Sequence, residues 1–170
     1  MLTLTTKLPT AARIDGTLRL PFELREKSRL RARLESGEEV ALFTQRGTVL
    51  RDGDLLAGDD GRVIRVIAAG EATYRVSASS SRELLRCAFH LGNRHTQAQV
   101  GSDTEGDFLR IRKDPVLKEM LEGLGAVVAE QDAPFEPEAG AYGGGHHHHG
   151  DSLLAPVPLR QKIHRPLERE

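Results

Sequence analysis

The chain has 170 residues, a formal net charge of −1 and 29% charged residues, which place it among ordinary globular proteins of one domain or two small ones. No apolar run approaches the ~18 residues needed to span a bilayer, and the start MLTLTTKLPTAARID lacks the basic and apolar regions of a signal peptide, so a cytoplasmic protein with no membrane contact is expected. The single cysteine, Cys87, excludes a disulfide framework, and the balanced charge and absence of Trp argue against nucleic acid as a partner. The unusual feature is seven histidines, four of them consecutive; protonating all of them would move the charge from −1 to +6.

In chain order, the first ~70 residues read as all-β. Leu2 and Leu4 alternate with Thr3 and Thr5; Leu18, Leu20 and Phe22 alternate, as do Leu30, Ala32 and Leu34 with Arg between them. Period-two alternation predicts sheet with one buried face. Asp15-Gly16, Ser36-Gly37, Arg46-Gly47, Asp52-Gly53 and Asp60-Gly61 read as turns rather than as calcium loops, because the twelve-residue ligand pattern ending in Glu is missing. A strand is predicted over Ala72–Ala78, then a capping box at Ser80-Ser81-Arg82-Glu83 opening a helix with Leu84, Leu85, Ala88 and Leu91 on its apolar side and Gly92 as its left-handed stop. Strands over Thr96–Val100 and Phe108–Arg112 follow. Asp114-Pro115 opens a second helix with an apolar stripe of Val116, Leu117, Met120, Leu121 and Leu124, ended by Gly125, and Ala126–Glu130 is the last strand. The order β-α-β-β-α-β is the ferredoxin-like arrangement. The fold class is therefore α+β: an all-β domain over 1–70, a ferredoxin-like domain over 71–142 and a disordered, His-containing tail over 143–170, where a Gly-flanked tract cannot bury enough apolar surface to order itself.

Histidine carries the candidate chemistry. His146, His147, His148 and His149 offer several neutral nitrogen donors on a flexible segment, suited to nickel, zinc or copper. A purification tag would look similar, but tags are longer and terminal, whereas 21 residues follow this tract. His90 and His95 are five apart and would lie on nearly opposite sides of a continuous helix, so they form no intrahelical chelate. His90 reads as a cation at the negative end of its helix. His95 is one donor beyond that helix and becomes a site only if another chain or the tail supplies more. Cys87 reads as a buried small hydrophobe, Arg110, Arg112 and Lys113 as the wet face of an edge strand, and the acidic residues Glu130, Asp132, Glu136 and Glu138 as lacking a catalytic partner. No Ser/His/Asp pattern, Walker loop or GxGxxG is present, and the protein is read as a non-enzyme.

The segments Cys87-Ala88-Phe89-His90-Leu91-Gly92-Asn93-Arg94-His95, Asp114-Pro115-Val116-Leu117 through Leu124-Gly125, Ala133-Pro134-Phe135-Glu136-Pro137-Glu138-Ala139-Gly140-Ala141-Tyr142 and the His tract together resemble the UreE family, the nickel chaperones of urease maturation. The resemblance implies a β N-terminal domain that binds partner proteins and a ferredoxin-like domain that forms a homodimer. The histidine of the family's GNRH motif falls on His95, and the resemblance implies that two copies meet at the dimer axis to bind Ni(II), with His146–His149 completing the shell. It implies as partners the urease accessory GTPase and the apo-urease complex. Zn(II) or Cu(II) would also bind such donors. Some members carry further histidines where this chain has Arg110 to Pro115, so no accessory site is expected there; His164 is isolated and is not assigned as a ligand. The alternatives are a general transition-metal buffer without a urease partner and an RNA-binding ferredoxin-like domain, which would need exposed aromatics where only Phe108 stands.

Overall fold

A computed structural model describes residues 1–139; the stretch from 140 to 170, with His146–His149 and His164, lies outside the described residues. The chain forms a mostly-β N-terminal part and an α+β C-terminal part, each around its own sheet and core. No helix among the described residues is long and apolar enough to cross a membrane.

The first part contains β1 (Leu2–Leu8), β2 (Gly16–Leu20), α1 (Phe22–Arg25), β3 (Arg29–Arg33), β4 (Glu39–Phe43), β5 (Leu55–Gly58) and β6 (Val63–Ala68). They build one six-stranded sheet in the order β2-β6-β5-β1-β4-β3, with β1 parallel to β4 and β2 parallel to β6. The alternating leucines do what their period requires: Leu2, Leu4, Leu18, Leu20 and Leu34 are all buried in one core. Gly37, Gly47, Gly53 and Gly61 take the positive φ that their turns need. Gly16 is not a turn residue. It opens β2, and a side chain there would start 3.1 Å from Ile64 Cδ1, so glycine serves close packing.

The run Leu18-Leu20-Phe22 does not stay extended. Pro21 cannot donate to a ladder, and the chain turns into α1, a four-residue helix, with Phe22 buried and its N–H donated to the Glu71 carboxylate at 2.8 Å.

The second part contains β7 (Gly70–Ser77), α2 (Ser81–Asn93), β8 (Gln99–Asp103), β9 (Gly106–Arg112), α3 (Pro115–Gly123) and β10 (Val127–Pro134). Its sheet runs β10-β7-β9-β8 and is antiparallel throughout. Tyr74, Val76, Leu109 and Ile111 pack on Cys87 and Leu91 of α2 and Leu121 of α3. Several boundaries differ from the expectations. The strand expected at Thr96 begins at Gln99, because Thr96 is still part of the helix ending. The last strand continues to Pro134, paired with β7 along its whole length. Leu85 and Val116, assigned to apolar stripes, are 71% and 75% exposed.

Strand β9 is an inner strand of this sheet, not an edge. Its outward residues are therefore partly buried. Phe108 is only 6% exposed, yet it lies on the helix-free face, where its ring covers Gly101 and both Arg75 and Arg110 stack on it at 4.8 and 4.9 Å. Burial first, then the Arg75 cation, push the Arg110 guanidinium below the usual arginine range. Phe108 thus offers no open ring for a base.

Candidate metal centre

Helix α2 carries the candidate ligand at its C-terminal end. Its start is set by Ser80, whose hydroxyl accepts the Glu83 N–H at 3.3 Å. The expected reciprocal bond is displaced: the Glu83 carboxylate takes the Ser79 hydroxyl at 2.7 Å, and that bond holds its pKa below the ordinary value. Cys87 and Leu91 anchor the inner face, and burial pushes the Cys87 thiol up, away from thiolate reactivity. The outer face carries Leu85 and Phe89, 71% and 64% exposed and one helical turn apart.

The helix does not stop at Gly92. It runs through Gly92 to Asn93, and the left-handed residue is His95, with φ of 52°. The His95 N–H donates to the Gly92 carbonyl at 2.9 Å and the Thr96 N–H to the Leu91 carbonyl at 3.1 Å. These are the two bonds of a Schellman ending with histidine at the position glycine usually holds. The conformation costs a side chain bearing Cβ roughly 1–2 kcal/mol, although His is among the residue types that enter it more often. The imidazole is exposed. Beside it lies an open groove of about 740 Å³ whose walls include Arg94, Arg112 and Lys113, with Glu26 and Asp114. Asp114 is already committed, accepting the Val116 and Leu117 N–H groups as the cap of α3. Among the described residues, no group of three or more His, Cys, Asp or Glu could hold a metal ion. His95 is therefore a single exposed donor, and one chain's described residues do not make a cage around it.

The other histidines do not join it there. His90 is half-buried, with its ring edge-on to Phe89 at 5.5 Å, and its carbonyl accepts from Arg94 at 3.2 Å. His146–His149 lie outside the described residues.

The segment after β10 has a role that residue patterns did not reveal. Phe135 is fully buried and meets Phe22 edge-on, centroids 5.6 Å apart. Arg25, also fully buried, donates to the carbonyls of Leu20, Leu50 and Phe135 and to the Glu136 carboxylate. Glu136 also accepts from Arg51 at 3.0 Å and from the Asp52 N–H at 3.1 Å. The Glu136 and Glu138 N–H groups then donate to the Gln99 side chain and the Ala98 carbonyl, each at 2.9 Å. The stretch 135–138 clasps the first sheet to the strand that leaves His95. Glu136 is thus a structural anion, and Glu130 is paired with Lys113 at 2.7 Å. Only the density of PFEPE hinted at the clasp; nothing in the sequence around Arg25 marked its buried partner.

Comparison with known proteins bears on what this arrangement serves. Residues 3–69 match the N-terminal domain of the UreE urease accessory protein, and residues 71–158 match its C-terminal domain. The urease accessory protein UreE of Janthinobacterium sp. (strain Marseille) is 69% identical, covering 99% of both chains. The protein of the same name from Nitrosospira multiformis is 64% identical over 98% of this chain and 97% of its own. That of Alkalilimnicola ehrlichii is 53% identical over 85% of this chain and 86% of its own. The chain belongs to the UreE family of urease accessory proteins. It is an accessory protein and not an enzyme.

Proposed function

We propose that the protein is a nickel carrier that works as a homodimer in the cytoplasm and delivers Ni(II) to the urease maturation complex, with the urease accessory GTPase and apo-urease as its partners. One observation carries the reading: His95 is exposed and held in an unfavourable backbone conformation just after α2, the helix whose outer face leaves Leu85 and Phe89 exposed. An apolar face of that kind suits a two-fold contact, and a two-fold axis near the end of α2 converts one donor into two. His146–His149 would supply further nitrogens from the tail. Imidazoles exchange more readily than a closed thiolate set, which suits delivery over storage. Zn(II) and Cu(II) would compete for the same donors.

The β-α-β-β-α-β order and its antiparallel neighbours support a ferredoxin-like reading of residues 71–142, preceded by a mostly-β domain over 1–70. A metal buffer without a urease partner is the competing reading. The two separate in an activation assay: apo-urease and its accessory proteins are given nickel only as the loaded protein, with a competing chelator present. A carrier activates urease and His95→Ala does not; equal activation by His95→Ala, or by the chelated metal alone, overturns the carrier reading.

A further inference from the structure

We propose that the outer face of β3 and β4 docks an acidic segment of a partner protein, with Phe43 as its apolar anchor and Arg29 and Arg31 as its cations. This builds on the reading of an accessory protein that meets partners, but the surface is separate from His95. On β3, Leu30 and Ala32 turn inward opposite Leu42 and Val40, so Arg29, Arg31 and Arg33 share the outward face. Arg33 stands opposite Glu39 and is neutralised by it. Arg29 stands opposite Phe43 and Arg31 opposite Ala41, and among the described residues neither guanidinium has an ion pair or a hydrogen bond to a side chain. Elsewhere in this part, Arg13, Arg19 and Arg62 each meet a carboxylate. Phe43 is 47% exposed beside the two unmatched cations, while Ala41 is buried beneath their neighbours. A shallow groove of about 290 Å³ runs between Arg29, Arg31 and Phe43.

Charge selects the occupant. A second copy of this face would bring arginine against arginine, which is how edge strands resist pairing with themselves. Two uncompensated cations are too few to follow a phosphate backbone, and the whole chain carries −1. A peptide bearing carboxylates on either side of an apolar residue satisfies both cations and covers the ring.

The test is an amide-resolved NMR titration of the full chain. The probe is a synthetic peptide with a Leu-Phe centre flanked by Asp and Glu; the control replaces these with Asn and Gln, and an oligonucleotide of equal charge is the third arm. Shifts concentrated on 29–43 are expected, with affinity falling about tenfold in Arg29→Glu/Arg31→Glu and again when salt is raised. Phe43→Ser weakens binding without removing its salt dependence. Binding of the neutral peptide as strong as that of the acidic one, unchanged affinity in the double variant, a preference for the oligonucleotide, or no shift in β3 and β4 at millimolar peptide overturns the proposal. Nickel uptake by the double variant stays at the wild-type level, so a failed docking face and a failed carrier reading give different results.

Discussion

Helices α2 and α3 end in the same pair of backbone bonds. After α3, the Gly125 N–H donates to the Glu122 carbonyl and the Ala126 N–H to the Leu121 carbonyl; after α2, His95 and Thr96 make the matching bonds to Gly92 and Leu91. The left-handed position is filled by Gly125 at φ 94° in one case and by His95 at φ 52° in the other. Gly125 is the residue that local energetics would choose. A histidine at the equivalent place of a neighbouring helix, in the same domain, is less stable for no packing gain: it is exposed. Strained positions of this sort gather at functional sites. The strand leaving His95 is also tied down, by the bonds from Glu136 and Glu138 to Gln99 and Ala98, so the unfavourable residue is held from both sides.

The largest effect is expected from loosening that hold. Glu136→Gln leaves the buried Arg25 cation without its anion, and removing one partner of a buried pair costs about 3 kcal/mol; urea unfolding measures it, and a loss below ~1 kcal/mol would mean the clasp does not bind the two sheets together. Next comes Gly125→His, which copies the α2 ending onto α3. It should lower stability by roughly 1–2 kcal/mol and leave nickel binding unchanged. The reciprocal change, His95→Gly, should raise stability by about 0.5–1 kcal/mol, the relief of strain less the added freedom of the unfolded chain, while removing the proposed metal ligand. If His95→Gly is instead destabilising, the histidine is structural and the comparison fails.

The smallest effect is one of pH. Several carboxylates in the turns of the first part are held below their ordinary values of 3.8 for Asp and 4.5 for Glu: Glu35 by the Thr17 hydroxyl and then Arg19, Glu38 by Arg62, and Asp60 by the Arg62 amide and guanidinium. Their folded pKa lies below the unfolded one, so their contribution is full above about pH 4.5 and is lost as the pH falls through the folded values. Protons displace metal from imidazole ligands in general below about pH 6.5. Acid titration followed by circular dichroism and by nickel release should therefore show the metal leaving a protein that is still folded.

The fold was largely legible because it follows from periodicity. Leu2, Leu4, Leu18 and Leu34 are buried as their alternation requires, and Asp114-Pro115 and Gly125 open and close α3 as capping rules require. Local rules failed where longer-range contacts decide. Gly92 looked like the helix stop, but the C-terminal turn extends to His95. Leu85 has helical spacing and an apolar side chain, yet it is 71% exposed. The Leu18-Leu20-Phe22 alternation runs across Pro21 and so hides α1 and the burial of Arg25; the partner that makes Arg25 tolerable is 111 residues away. For the candidate site, the residues and the motif were readable, and the left-handed conformation of His95 was not, because nothing local distinguishes it from an ordinary loop histidine.

In the proposed carrier, two copies of His95 hold one nickel between two chains. Calorimetric nickel titration of the full-length protein, its mass checked as a dimer, tests it against His95→Gly. One tight nickel for every two wild-type chains is expected, with loss of that tight phase in a variant that is still dimeric and at least as stable. A tight phase that survives unchanged in His95→Gly would contradict it.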